Sequence, residues 1–289
     1  MNFLYRTRPG QMLLRLMMTL RLDRAVVFFL RAGISRLMIP FFIKKHRIDL
    51  SLYAKEEYKS WRDFFLRHKK EIVFDAEEGH LVSPCDAYLS AYRIRGDGTL
   101  LIKGTRYTLR ELTGNYALSG KTAFGKAKAL RALSAYEGGC ALVLRLSIAD
   151  YHHYHYFDEC VQHPHVYNEG ELYSVQPAAL KTYPVFALNR RTVSLLRTAH
   201  FGRVLQIEVG AFAVGGIVNH YDAGRHARGK EKGHFDLCGS TIVLLFEKDR
   251  VRLRGTLREA VSAGREVKVR VGEKIGVADK TVEKRGRRK

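Results

Sequence analysis

Apolar residues recur in short runs along the chain, and before residue 80 their spacing is helical. Residues 12–20 and 25–30 are predicted to be pieces of amphipathic helix. Residues 34–45 continue the apolar pattern, but Pro40 should end or kink a helix there. Aromatic residues recur near helical spacing over residues 50–69, which predicts one further amphipathic helix with its aromatic side chains in the core.

The pattern changes after residue 80, where short aliphatic or alternating runs lie between glycine-rich turns. Such runs predict β-strands, and six stretches show them: residues 100–103, 140–148, 192–198, 204–218, 241–247 and 266–271. The fold is therefore predicted to be α+β. Amino-terminal amphipathic helices in residues 1–75 should pack on or beside a β-rich sandwich or barrel domain in residues 76–289.

The charge of the chain narrows the classes of partner. Lys and Arg number 50 against 29 Asp and Glu in 289 residues, a formal net charge of +21. Such an excess predicts a polyanionic partner, either nucleic acid or an anionic membrane surface. Arginines interrupt the first apolar stretches, so no uncharged run approaches the ~18 residues of a spanning helix, and Arg15 argues against a signal peptide. Arg-rich amphipathic helices are typical of segments lying in a membrane interface, which is the favoured interpretation; the alternative is that they pack on the protein's own core with the arginines in solvent.

The four cysteines, at positions 85, 140, 160 and 238, show neither C-x-x-C pairing nor zinc-like spacing. They are predicted to be reduced, as in an intracellular protein. Disulfides therefore have no part in the predicted fold.

The first candidate for chemistry is Gly239-Ser240, which opens the apolar run 241–247. One interpretation is a turn, because Gly permits a tight backbone and Ser caps it before a buried strand. The other is self-cleavage. The Ser240 hydroxyl would attack the Gly239 carbonyl, and β-elimination of the resulting ester would leave a dehydroalanine that hydrolyses to a pyruvoyl group. A serine hydroxyl is a weak nucleophile, so self-cleavage requires a base and a group that orients the base.

Three histidines in residues 150–155 could supply the base. The stretch closes the predicted strand 140–148, and in extended backbone His153 and His155 share one face while His152 lies on the other. Imidazole is the natural base near neutral pH.

Asp86 is the candidate orienting group. It follows Ser83-Pro84 and is either a turn residue bonded to its own backbone or a carboxylate that orients an imidazole. With His155 and Ser240 it would complete a serine-activating triad in the chain order Asp, His, Ser. The sequence does not show that the three side chains meet.

The motifs form an ordered series over nearly the whole chain: Ser35-Arg36, Phe41-Phe42, residues 58–67, Ser83-Pro84-x-Asp86, Lys103-Gly104, Tyr107-x-Leu109, Asp150-Tyr151-His152-x-x-His155, Gly170-x-Leu172-Tyr173-Ser174-Val175, Asn189-x-Arg191, Val209-Gly210-Ala211, Val214-Gly215, Lys230-x-x-x-Gly233-x-Phe235 and Gly239-Ser240-Thr241. This order resembles that of the phosphatidylserine decarboxylases, pyruvoyl-dependent, prokaryotic-type proenzymes that make phosphatidylethanolamine. Each motif is weak by itself, and their joint order is specific. The chain departs from the family pattern at Ala87, Arg190 and Cys238, where the family often has Gly, Glu and Leu or Gly respectively.

The resemblance implies how the chain is processed. Asp86 and His155 would form the charge relay for self-cleavage on the amino side of Ser240. The products would be a β chain of residues 1–239 and an α chain of residues 240–289 cut from one precursor, and the resemblance also allows a homodimer.

The resemblance further implies the reaction and its location. Ser240 would become the cofactor, a covalently bound pyruvoyl group that forms a Schiff base with the amine of phosphatidylserine, and His152 would transfer a proton during decarboxylation. The family assigns no metal ligand and no nucleic-acid partner. The resemblance implies instead an anionic membrane phospholipid as partner, so the protein would lie peripherally on the cytoplasmic face of the cell membrane, with residues 1–75 as the membrane-associating region.

Two alternatives come from other classes of protein. His153, His155 and Glu159 resemble the metal-binding motif of cupins, which would indicate a metal-dependent β-barrel enzyme, although Ser147 stands where that motif opens with Gly. A basic nucleic-acid-binding protein would also explain the net charge, but no helix-turn-helix, zinc-finger or RNA-binding signature is present.

Overall fold

The described residues of the amino-terminal part form four α-helices. The computed structural model describes residue 3 and residues 7–20, 22–118, 131–175, 177–211, 216–237 and 240–279. The amino-terminal helices are α1 (Arg8–Thr19), α2 (Leu22–Arg31), α3 (Ile39–His46) and α4 (Trp61–Phe65). The later helices are α5 (Leu109–Thr113), α6 (Pro177–Leu180), α7 (Val185–Leu188) and α8 (Gly255–Ser262).

The predicted helices over 12–20 and 25–30 are confirmed by α1 and α2. Pro40 also marks a boundary as predicted. A 3₁₀ segment, Gly33–Met38, ends just before α3, and Pro40 lies in the first turn of α3, where its missing N–H costs nothing.

The single helix predicted over 50–69 is wrong. The chain makes a short 3₁₀ turn at Leu50–Leu52 and then starts α4, which Ser60 caps by accepting a hydrogen bond from Asp63 N at 3.2 Å. Between these elements the chain folds back, so that Tyr53 pairs with Lys69 in an isolated antiparallel bridge. The aromatic spacing reported burial correctly, and the aromatic side chains of this stretch are in the core: Tyr53, Tyr58, Trp61, Phe64 and Phe65.

Seventeen strands follow in the described part of the chain. In order they are β1 (His80–Val82), β2 (Ala87–Arg93), β3 (Thr99–Ile102), β4 (Thr105–Thr108), β5 (Cys140–Leu146), β6 (His153–His155), β7 (Cys160–Gln162), β8 (Val166–Asn168), β9 (Arg191–Thr198), β10 (Gly202–Val209), β11 (Gly216–Asn219), β12 (Gly224–His226), β13 (Glu231–Asp236), β14 (Ser240–Phe246), β15 (Val251–Leu253), β16 (Val267–Val269) and β17 (Lys274–Ala278). Each of the six predicted stretches overlaps a strand, and 204–218 overlaps two strands, β10 and β11.

The main sheet has the strand order β12-β7-β9-β10-β14-β5-β2-β16, with β8 also paired to β9. Two three-stranded sheets, β1-β17-β15 and β11-β13-β6, and the hairpin β3-β4 accompany it. The α+β prediction is confirmed. Of the two β architectures predicted, a closed barrel is not the one observed, because the main sheet is an open path from β12 to β16.

Both faces of the main sheet are covered by apolar side chains. Along β14, Val243 and Leu245 enter one core cluster, whereas Ile242, Leu244 and Phe246 enter the other. A strand that is buried on both faces is expected to be apolar at every position, which explains the uninterrupted run after Ser240. The amino-terminal helices form a third cluster that includes Leu237 of the segment leading to β14.

Cys85, Cys140 and Cys160 are free thiols, as predicted. Cys238 lies outside the described residues, as do Gly239, Val214, Gly215 and the basic tail. Within the described residues no single helix is long and apolar enough to cross a membrane, and only the bent pair Arg24–Arg31 and Gly33–His46, which meet at 79°, has the length and composition together. The domain boundary at residue 75 stays a prediction.

Candidate active site

Three strands place the sequence candidates at one edge of the main sheet. Ser240 begins β14 and lies opposite Leu146, the last residue of β5. On the other side of β5, Tyr88 of β2 lies opposite Arg145. Because these strands are antiparallel, the start of β14, the end of β5 and the start of β2 are at the same edge. Asp86 immediately precedes β2, and the histidine-rich segment follows β5.

The Ser240 side chain is buried, with 1% of its surface exposed. Its hydroxyl oxygen has no hydrogen-bond partner among the described residues. A buried hydroxyl without a partner costs about 1–3 kcal/mol, and a catalytic role is one of the explanations for such a group in a folded protein.

The backbone just before the candidate cleavage site is unusual. Leu237 has φ 55°, a left-handed conformation that is uncommon for a residue with a branched side chain. Its side chain is nevertheless buried in the helical cluster. One residue earlier, Asp236 accepts hydrogen bonds from Arg62 Nε at 2.8 Å and Nη2 at 2.9 Å, and Arg31 Nη2 lies 3.4 Å away. Helices α2 and α4 therefore hold the segment that leads to Gly239-Ser240.

His152 is fully buried against α4. Its ring centroid lies 3.9 Å from that of Phe65, and its Nδ1–H donates to the Asp150 carbonyl at 2.9 Å. Burial, together with the nearby Arg67 guanidinium, lowers the pKa of His152 well below its usual value. The ring is therefore neutral near pH 7, with the lone pair on Nε2, which has no partner among the described residues.

His155 ends β6 and lies on the opposite face of the chain from His152, which immediately precedes β6. The Tyr151 ring is stacked with those of His153 and His155, at 4.8 and 6.2 Å, as the predicted alternation requires. The His155 backbone N–H donates to the Pro84 carbonyl at 2.9 Å, which joins β6 to the segment that carries Asp86. Its Nδ1 has no partner in the described part of the chain. Burial lowers the pKa of His155 to about 4, against the opposing effect of the Glu231 carboxylate.

Among the described residues, Asp86 makes its hydrogen bonds to groups other than His155. Its carboxylate accepts from Lys69 Nζ at 2.9 Å and from Val271 N at 2.8 Å. Lys69 was missed by sequence reasoning, because a lysine in the basic run of residues 67–70 has no distinguishing pattern. The charge relay thus stays a prediction, with its carboxylate at present paired to an ammonium group.

The cupin-like set is not assembled. His153 Nδ1 lies 2.7 Å from Glu231 Oε1 and its Nε2 lies 3.3 Å from the Leu66 carbonyl. Glu159 is exposed and lies 3.6 Å from Arg225. The physical reason is that β6 belongs to the sheet β11-β13-β6, whereas the chain then enters β7 in the main sheet and takes Glu159 away from the histidines.

Comparison with known proteins decides the family. The family model described as phosphatidylserine decarboxylase matches residues 61–277. The phosphatidylserine decarboxylase proenzyme 2 of Clostridium acetobutylicum is 39% identical over 281 residues, which cover 96% of this chain and 91% of the relative.

The chain belongs to the phosphatidylserine decarboxylase family. A second relative, the phosphatidylserine decarboxylase proenzyme of Ruminiclostridium cellulolyticum, is 38% identical and covers 96% of this chain and 90% of its own length. The proenzyme of Desulfitobacterium hafniense is 36% identical over 88% of this chain and 83% of its own length. The family resemblance drawn from the ordered motifs is therefore confirmed.

The neutral state of His155 predicts a loss of stability in acid. The unfolded chain has the usual histidine pKa of 6.5 and the folded chain about 4, so between these values the unfolded state binds more protons. The free energy of unfolding should fall as the pH drops through this window, by roughly 2–3 kcal/mol from this one histidine. Urea denaturation of a Ser240→Ala chain at neutral and mildly acidic pH measures it.

The comparison variants are His155→Gln and His165→Gln in the same Ser240→Ala background. In His155→Gln, the fall in the free energy of unfolding between neutral and acidic pH should be smaller by that amount. His165→Gln removes a partly exposed histidine near Asp222 and should leave the fall nearly unchanged. An unaltered pH dependence in His155→Gln would show that His155 is not the group responsible.

Proposed function

We propose that this protein decarboxylates phosphatidylserine to phosphatidylethanolamine through a pyruvoyl group that it makes from Ser240. The observation that carries the proposal is the Ser240 hydroxyl, buried without a described partner at the first position of a central strand. Curated relatives over most of the chain are named proenzymes. A serine that reacts with its own backbone accounts for both facts.

Self-cleavage would proceed by an N-to-O acyl shift followed by β-elimination. A base removes the proton from Ser240 Oγ, and Oγ bonds to the Gly239 carbonyl carbon. The peptide bond between Gly239 and Ser240 then breaks, which leaves an ester between the two residues and a free amino group on Ser240. Elimination then removes the Ser240 α-proton and breaks the Cβ–Oγ bond, so that Gly239 retains a carboxylate. Water adds to the imine tautomer of the dehydroalanine, ammonia departs, and the α chain begins with a pyruvoyl group.

His155 is the base in this proposal. Its low pKa keeps the imidazole unprotonated at neutral pH, and its Nδ1 has no competing partner in the described structure. Asp86 is the orienting carboxylate, and this role requires it to turn from Lys69 toward His155. The hydrogen bond between His155 N and the Pro84 carbonyl supports such an exchange, because it already joins the two segments.

His152 is the residue that moves a proton in the decarboxylation. The pyruvoyl ketone supplies a carbonyl that takes up the substrate amine and accepts the electron pair left as CO₂ departs. The hydrogen bond from His152 Nδ1 to the Asp150 carbonyl leaves Nε2 to accept and return the proton. The Phe65 ring against the imidazole excludes water from that side.

The same proposal places the protein peripherally on an anionic membrane, at its cytoplasmic face. Large apolar side chains on the amino-terminal helices are exposed, among them Phe28 at 79% and Phe41 at 71%. Exposed basic residues lie on the same elements, including Arg24, Arg36 and Lys45. Apolar side chains that enter the interface and cations that face lipid headgroups are the two contributions that hold a helix on a bilayer surface. A homodimer stays a prediction from the family resemblance.

Intact mass tests the cleavage. The wild-type chain should give two fragments, residues 1–239 and residues 240–289, and the smaller fragment should resist Edman sequencing because its amino group is lost. Ser240→Ala should stay whole and inactive, whereas the control Ser262→Ala should be cut normally. A wild-type chain that stays whole yet releases CO₂ from phosphatidylserine would contradict the proposal.

Histidine variants separate the two stages. His155→Ala should stay largely uncut, because the proposed base is gone. His152→Ala should be cut but turn over about 10²–10⁴-fold more slowly, the usual contribution of a positioned proton donor. Gel analysis of processing and headspace measurement of CO₂ report the two stages independently. The opposite result, an uncut His152→Ala with a normally processed His155→Ala, would overturn the assignment.

Vesicle sedimentation tests the membrane surface. Phe28→Glu with Phe41→Glu should lower binding to phosphatidylserine-containing vesicles at least ~10-fold, because each buried phenylalanine is worth about 1.5–3 kcal/mol. Leu101→Glu, on the β3-β4 hairpin and half-exposed, is the matched control and should bind as the parent does. Equal binding by all three proteins would refute this surface as the membrane contact.

A further inference from the structure

A second group of chemical side chains lies on the sheet β11-β13-β6. Glu231 and His234 belong to β13, and His220 follows β11, where its backbone N–H donates to the Lys232 carbonyl at 2.9 Å. One ligand atom from each of Glu231, His234 and His220 lies within 4.8 Å of the other two. None of these three residues has a role in the proposed decarboxylation.

An irregularity in β13 makes this arrangement. Residues three apart on a regular strand point to opposite faces. The register of β13 on β6 shifts between Glu231 and Gly233, and a bulge of this kind re-aims the side chains around it. Glu231 and His234 thereby share a face. The Lys232 side chain is fully buried elsewhere, in an ion pair with Glu208 at 2.8 Å.

The distances suit ligands around one ion. His220 Nε2 lies 3.3 Å from His234 Nδ1 and 3.7 Å from Glu231 Oε1. Two donors that each bind a zinc-like ion at about 2.0–2.1 Å in tetrahedral geometry are separated by about 3.4 Å. Two imidazole nitrogens that face each other this closely either share one proton or bind one ion.

Solvent can reach the three proposed ligands from one side. His220 is partly exposed, which gives an ion a path from solvent.

A neighbouring group, His68, His153 and Glu231, is less suited. Both nitrogens of His153 already face acceptors, Glu231 Oε1 at 2.7 Å and the Leu66 carbonyl at 3.3 Å. His153 thus orients the Glu231 carboxylate, as hydrogen-bonded partners commonly do for ligating carboxylates.

We propose that His220, Glu231 and His234 form a binding site for a borderline divalent transition metal such as Zn²⁺, with water in the remaining position. Two histidines and a glutamate are a donor set that such ions use in proteins. β-Sheet pairing places Glu231 opposite His155. A bound ion would offset the Glu231 charge beside that histidine.

The test is metal binding to the uncut Ser240→Ala chain, which does not depend on cleavage or activity. Co²⁺ titration followed by visible absorption should show one equivalent of low-symmetry Co²⁺, and Zn²⁺ competition against a chelating dye gives the affinity. His220→Ala removes a partly exposed ligand without disturbing the core. It should weaken Zn²⁺ binding by at least ~100-fold, and His234→Ala by a similar factor.

Two control variants locate the ion. His165→Ala removes a histidine that lies 3.1 Å from a carboxylate, Asp222, but belongs to neither three-residue group, and it should leave the affinity unchanged. His68→Ala should also leave it unchanged. A parent chain that binds Zn²⁺ no more tightly than His220→Ala, or a loss in His68→Ala without one in His220→Ala, would overturn the proposed site.

Discussion

The pairing of β14 with β10 and β5 is the constraint on which the site depends. The register places Ser240 opposite Leu146 and Thr241 opposite Val209. Alternate side chains of β14 fill two different cores, so a slip of one residue would exchange the two sets. The position of the serine is therefore fixed by apolar packing along the whole strand. The same pairing brings the end of β5 and the start of β2 to the edge where Ser240 lies.

The amino-terminal helices form a core cluster of their own and also contact the residues at this edge of the sheet. Arg67, just after α4, donates to the Asp150 carbonyl at 3.0 Å, and Phe65 covers His152. Arg62 holds Asp236, next to the left-handed Leu237. These contacts bury the imidazole and keep it neutral, because desolvation disfavours its charged form. The helices proposed to meet lipid thus share a core cluster with Phe65, whose ring packs on His152.

The sequence patterns correctly predicted the features that depend only on neighbouring residues along the chain. The strand after Ser240 was predictable because a strand buried on both faces is apolar throughout, and His152 and His155 were separated correctly by simple alternation. The pattern over residues 50–69 failed because aromatic spacing reports burial and not backbone conformation. Lys69 as the partner of Asp86 could not be predicted, since it depends on a chain reversal at the Tyr53 bridge. The grouping of His220 with Glu231 and His234 depends on a bulge, which leaves no periodic signal.

Strands from before and after residue 239 are neighbours in the same sheets, and this order decides whether a cleaved molecule stays together. The residues after 239 contribute three strands to the sheets. Strand β14 lies in the centre of the main sheet, β16 is its outermost strand beside β2, and β17 pairs with β1. A backbone break before Ser240 would therefore divide the covalent chain without dividing its hydrophobic interior. The shorter piece could not dissociate by dilution, because its departure would strip β10, β5 and β2 of their neighbours. Two polypeptides would remain one cooperative folding unit.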